Sequence, residues 1–214
     1  MTTTDIINTI VSVLTAIIAV VSIFLTSHQI KRTNKQRLFD RRLSAFLKFK
    51  QYYSLYIENK KYLEEDDTFS FTIDLVFSWL TNCSDLEEMC LAMNKPLSGP
   101  EQKLFLTKIE QLRNLSAEIS MIFDNPKAKI ASEFVSEYSD LLQGMYRQQV
   151  YVTDSRKSGT KDLNSAQKDY KEMAAPLYKT RNCLKITSQQ IENQRIIEKF
   201  EKEIKLTRNH FCSK

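Results

Sequence analysis

Asn8, Ser12, Thr15, Ala19, Ser22 and Thr26 recur at alternating spacings of four and three. On a helix that period gathers them into one seam, the repeat of a left-handed coiled coil. The chemistry open to such a seam is association. In lipid, small residues let two backbones approach, and hydroxyl or amide groups bond across the contact. Self-association or docking with another membrane helix is therefore expected of it. Chance recurrence of small residues, and a pore lined by several copies, are the competing readings.

A second set follows directly. Lys31, Arg32, Lys35, Arg37, Arg41, Arg42, Lys48 and Lys50 are opposed only by Asp40, and they alternate with Phe39, Phe46, Phe49, Tyr52 and Tyr53. Three roles compete for this stretch. Its cations can meet anionic lipid headgroups while the rings enter the interface. The same cations can bind nucleic-acid phosphate, with rings stacking on bases. In the plainest reading the charges set membrane topology and the rings fill a core.

Catalytic constellations are missing. His28 and His210 lie far apart, and no HExxH, paired-histidine or cysteine–histidine spacing occurs. Cys83, Cys90, Cys183 and Cys212 form no CxxC pair and no zinc pattern, and scattered thiols suit a reducing compartment. Three glycines in 214 residues leave no phosphate loop and disfavour sheet folds rich in tight turns. Acidic pairs such as Glu87 and Glu88 read as solvated helix faces. No enzyme activity, metal or cofactor is expected.

The element that must carry the seam is the charge-free run from Ile6 to Leu25. At about 1.5 Å per residue it spans roughly 30 Å, the thickness of a bilayer's hydrocarbon core. A secretory signal would open with a positive region and end at a small-residue cleavage site; here Asp5 precedes the run and a cationic flank follows it. The run therefore reads as a single membrane span rather than a signal peptide or a buried helix. Positive charge stays inside, so the short N-terminal tail is expected outside and the rest in the cytoplasm. The chain carries 31 basic and 26 acidic residues. The excess sits between 31 and 50, so it marks a membrane flank before it marks a nucleic-acid binder. The glycosylation sequons at Asn82 and Asn114 are chance matches on that topology.

Beyond the run the expected fold is all-α, a transmembrane helix followed by a cytoplasmic helical bundle. An anchor over 1–30, a basic-aromatic helix over 31–67 and a helical domain over 68–214 are expected. The first helix should continue past the membrane with Phe39, Leu43, Phe46, Tyr53 and Ile57 on its inner face, Phe49 at the edge and Lys50 interrupting, and end at the acids 64–67. The segment 71–93 reads as one or two helices, with a capping box at Ser84 and Glu87. Its start, SFTIDLVFSWL, has strand-like composition. Ser98 and Pro100 open the next helix, whose stripe is Phe105, Ile109, Leu112, Leu115, Ile119 and Ile122. Another runs from about 129 to 152 with Ile130, Phe134, Tyr138, Leu141 and Met145 inward. Residues 155–161 read as a loop, and Pro176 starts or kinks a helix. Leu184, Ile191, Ile197, Phe200 and Ile204 form the last face.

The passage Gln29 to Phe49 resembles a motif of small bacterial membrane proteins. These have one or two membrane helices, then a Leu-Phe-Asp-(Lys/Arg)-Arg stretch entering a cytoplasmic helical domain. Leu38, Phe39, Asp40, Arg41 and Arg42 carry the resemblance. Some such proteins occur in phage-defence or abortive-infection loci. The resemblance implies a setting in bacterial antiviral defence or stress; the seam and the missing catalytic constellations add the expectation of a non-enzymatic, oligomeric membrane protein acting through protein contacts. The alternative is a membrane-tethered nucleic-acid-binding protein using the basic-aromatic stretch.

Overall fold

The computed structural model describes residues 3–64, 73–94, 99–123, 125–158 and 163–212. Within them every regular element is a helix: α1 (Thr3–Glu64), α2 (Ile73–Leu80), α3 (Met89–Asn94), α4 (Gly99–Ile122), α5 (Ala128–Ser158), α6 (Leu163–Asn193) and α7 (Ile196–Cys212). The chain forms two compact units, one up to Arg41 and one from Arg42 onward.

The first unit is the N-terminal part of α1. From Ile10 to Leu38 every residue is exposed.

The second unit packs the remaining helices around an aromatic core. α1 supplies Ala45, Phe46, Phe49, Tyr52, Tyr56 and Leu63. Phe49 is fully enclosed, with Phe134 and Phe200 each 6.0 Å away. Phe123 stacks on Phe200 at 4.2 Å, and Tyr52 on Tyr138 at 5.9 Å. Each such ring contributes about 1.5–3 kcal/mol by leaving water, so this cluster outweighs any single polar contact.

The buried face of α1 is not the expected one. Phe46 is buried as expected, but Ile57 is 40% exposed, and Phe49, placed at the edge, sits at the centre. At 100° per residue the true face is turned by about a quarter turn. Tyr52 and Tyr56, whose rings bury while a hydroxyl finds a partner, define it. Phe39 and Leu43 are half-buried. α1 ends at Glu64, and residues 65–67 of the acidic cluster lie outside the described residues.

α2 is a helix, not a strand, because Ile73, Val76, Phe77 and Leu80 bury at helical spacing. Phe71 lies outside the described residues. The Ser84–Glu87 box starts no helix. The amides of Leu86 and Glu87 both donate to the Cys83 carbonyl, at 3.0 and 2.9 Å, in a turn that precedes α3. Trp79 is half-buried against Tyr62, with ring centres 4.6 Å apart.

α4 buries the expected stripe, apart from half-buried Ile122; Ser98 lies outside the described residues. The Asn125 side chain then accepts the Lys127 amide at 3.0 Å, and its carbonyl accepts Ala128 N at 2.8 Å, turning the chain into α5. Phe134, Tyr138, Leu141 and Met145 of α5 are buried and Ile130 is half-buried. α5 reaches Ser158, so the expected loop does not begin at 155; residues 159–161 lie outside the described residues. α4 packs along α5 and α5 along α6. At Gly144 a methyl group would stand 2.8 Å from Leu177 Cδ1, so α6 crosses close to α5 there.

Pro176 lies inside α6 rather than at its start. The break between α6 and α7 falls at Gln194 and Arg195, with Arg195 in the left-handed region at φ 51°. That interruption moves the inner position of α7 to Ile196. Ile197 is half-buried, while Leu184, Ile191, Phe200 and Ile204 are buried as expected.

Candidate membrane surface of the first helix

Among the described residues α1 is the one helix long and apolar enough to cross a membrane, and its apolar stretch is not buried at all. Ile18, Ile23 and Phe24, on different sides of the helix, are 65%, 70% and 74% exposed. A helix that is apolar all round belongs inside a core or in a bilayer. Twelve large apolar side chains between Ile6 and Leu25 are exposed in this way. At about 1.5–3 kcal/mol each, removing them from water would gain on the order of 20 kcal/mol that the fold itself leaves untaken. A core helix of a water-soluble fold does not fit that arrangement.

The seam lies on this bare helix. Asn8, Ser12, Thr15, Ala19, Ser22 and Thr26 are all exposed. Thr15 Oγ1 donates to the Val11 carbonyl at 2.8 Å, so its proton is already used within the helix. The small side chains leave two shallow grooves. One is lined by Asn8, Ser12, Val13 and Ala16, the other by Ser22, Ile23, Thr26, Ser27, Ile30 and Lys31.

The eight cations divide into two groups. Lys31, Arg32, Lys35, Arg37 and Arg41 are exposed on the first unit. The other three are tied into the second. Arg42 Nε donates to the Ile122 carbonyl at 2.6 Å, its guanidinium lies 3.4 Å from Glu203, and it sits over the Phe123 ring at 5.9 Å. Lys48 pairs with Asp85 at 3.8 Å and Lys50 with Glu201 at 2.8 Å. The Lys50 ammonium holds the Glu201 carboxyl below its ordinary range. The rings interleaved with these cations are committed too. Phe46, Phe49 and Tyr52 are buried, and Phe39 and Tyr53 are half-buried.

Of the chemistry-bearing residues, His28 is exposed on α1, and His210 and Cys212 fall in α7. The Cys83 thiol is half-buried, and burial pushes its pKa up against two backbone hydrogen bonds that lower it. That keeps it in the unreactive thiol form. Cys90 Sγ lies 3.0 Å from Thr81 Oγ1. No group of three metal-binding side chains forms among the described residues.

Sequence reasoning missed two polar features of the core. Tyr138, fully buried, donates its hydroxyl to the Leu80 carbonyl at the end of α2. Glu137 turns one carboxylate oxygen into a buried position without a partner. Burial raises its pKa, the neighbouring Thr187 hydroxyl lowers it, and Glu133 and Asp140 raise it further. The signal was present: Glu137 sits between Phe134 and Leu141 on the inner stripe of α5. No protein-family model, curated protein or solved structure matches the chain.

Proposed function

We propose that this chain is a single-pass protein of the bacterial cytoplasmic membrane, N-terminus outside, whose cytoplasmic helical bundle acts through protein contacts and not through catalysis. Copies associate through the seam of α1. Its setting is bacterial stress or phage defence, where it senses or damages the membrane; the resemblance of the stretch from Gln29 to Phe49 supports that setting. The observation that carries the reading is the charge-free stretch whose residues from Ile10 to Leu25 are all exposed, followed at once by exposed cations. The nucleic-acid alternative is weaker because most rings that would stack on bases are core residues.

Fractionation and labelling test it. The chain should stay in the membrane after alkaline carbonate and leave it only with detergent. In intact cells Thr3→Cys should react with an impermeant maleimide, while Cys212 should react only after lysis. Release by carbonate refutes the anchor, and the reverse labelling pattern refutes the orientation.

A further inference from the structure

The helix of the first unit gives each residue beyond the apolar run a depth, on the membrane reading proposed above. Counted from Leu25 at about 1.5 Å per residue, Ser27 lies about 3 Å past the hydrocarbon edge, Lys31 about 9 Å, Lys35 about 15 Å and Arg37 about 18 Å. The headgroup layer on each side is only about 5–8 Å thick. A lysine stem carries its ammonium back by roughly 6 Å. A typical tilt of about 20° shortens these depths by less than a tenth. Lys31 and Arg32 therefore reach the phosphates and Lys35 their outer margin, while Arg37 and Arg41 fall short.

The second groove lies at this depth. Going outward, Ser22 and Ile23 come first, then the hydroxyls of Thr26 and Ser27, then the Lys31 ammonium. Ile30 completes the lining. A phospholipid standing beside the helix presents the same order: acyl chain, ester and glycerol oxygens, then phosphate. Charge selects the occupant. A second copy packed here in parallel would bring its own Lys31 and Arg32 against these, whereas an anionic headgroup brings the opposite sign. The groove at Asn8, Ser12, Val13 and Ala16 carries no charge, so a second copy is left the seam from Asn8 to Ala19, and Ser22 and Thr26 go to lipid.

We infer that the groove from Ser22 to Lys31 binds an anionic phospholipid of the adjacent leaflet, with Thr26 and Ser27 donating to its ester or phosphate oxygens and Lys31 and Arg32 pairing with its charge. Arg42, Lys48 and Lys50 take no part, because their charges are met by Glu203, Asp85 and Glu201.

The test uses the full chain in lipid nanodiscs of phosphatidylcholine and phosphatidylglycerol, with a trace of either lipid bearing the same photoreactive acyl chain. The phosphatidylglycerol probe should label residues 22–32 several-fold more than the phosphatidylcholine probe. Lys31→Gln with Arg32→Gln should reduce that preference by about fivefold or more, and Lys48→Gln should leave it unchanged. Equal labelling by the two probes, a preference insensitive to the double variant, or Ser27→Cys chains that cross-link to one another in place of lipid labelling would each overturn the inference. A chain retained in the discs without headgroup preference removes this inference and leaves the anchor standing. A chain that never enters the discs removes both.

Discussion

Lys50 Nζ stands 2.8 Å from Glu201 Oε1, joining two residues 151 positions apart. Eight residues earlier on the same helix, Arg42 meets Glu203. Two cations of α1 are thus matched by two acids of α7, the same two helices that bring Phe46 and Phe49 against Phe200.

The two pairs should differ in strength. The Arg42 side chain is 14% exposed and also holds the Ile122 carbonyl, while Lys50 is 47% exposed. Arg42→Ala should lower the unfolding free energy by about 1–3 kcal/mol. Lys50→Ala should cost less than about 1 kcal/mol, because water screens the pair. Urea denaturation of the detergent-solubilised chain measures both, and the opposite ranking would contradict this account of the contact.

Tyr138→Phe keeps the ring and removes the hydroxyl that satisfies the Leu80 carbonyl. A buried acceptor without its donor costs about 1–3 kcal/mol. Tyr52→Phe should cost less, since its hydroxyl reaches Asp85 only at 3.4 Å. Thermal melting of both variants decides, and equal losses would mean that the Leu80 bond adds nothing.

Glu137 gives a pH dependence of known sign. Its native pKa lies above the ordinary carboxylate value, so between the two the native chain holds more protons than the unfolded one. This group's contribution to stability therefore falls as pH rises through that window. Glu137→Gln, which cannot ionise, should melt higher than the unaltered chain at pH 7. The advantage should vanish below about pH 4, where both carboxyl states are protonated. A difference in melting temperature that is independent of pH would exclude this explanation.

Arg195 occupies the left-handed region that costs a side-chain-bearing residue roughly 1–2 kcal/mol. Arg195→Gly should raise stability by about 0.5–1 kcal/mol after the entropy of the freer unfolded chain is subtracted. Arg195→Ala should give no gain. A Gly variant no more stable than the Ala variant would show that the turn is not strained.

For the seam, Ser12→Leu and Ala19→Leu keep the helix apolar but block close backbone approach. A membrane two-hybrid assay of the full chain should lose most of its signal with either. Val20→Leu and Val21→Leu, off the seam, should retain it. Equal loss on both sides of the helix would make the four-three spacing an accident.

Local pattern was enough to locate most of the helices. The stripe from Phe105 to Ile119 was legible because helical spacing is short-range. The face of α1 was misplaced because aliphatic Ile57 was weighted like the tyrosines that bury. The roles of Arg42 and Lys50 were illegible for a different reason. Their partners lie in a helix about 150 residues away, and no window of sequence contains both. The exposure of the residues from Ile10 to Leu38 follows from an apolar run and a cationic flank that adjoin in sequence.

The pairing of α1 with α7 also sets a timetable for synthesis. Phe49 leaves the ribosome 151 residues before Phe200, the ring that closes over it. At about 5–20 residues per second that interval is roughly 8–30 s. Through it the aromatic face of α1 waits without its lid. Any factor that shields nascent hydrophobic surface has that interval in which to act, and a chain truncated before α7 never leaves it.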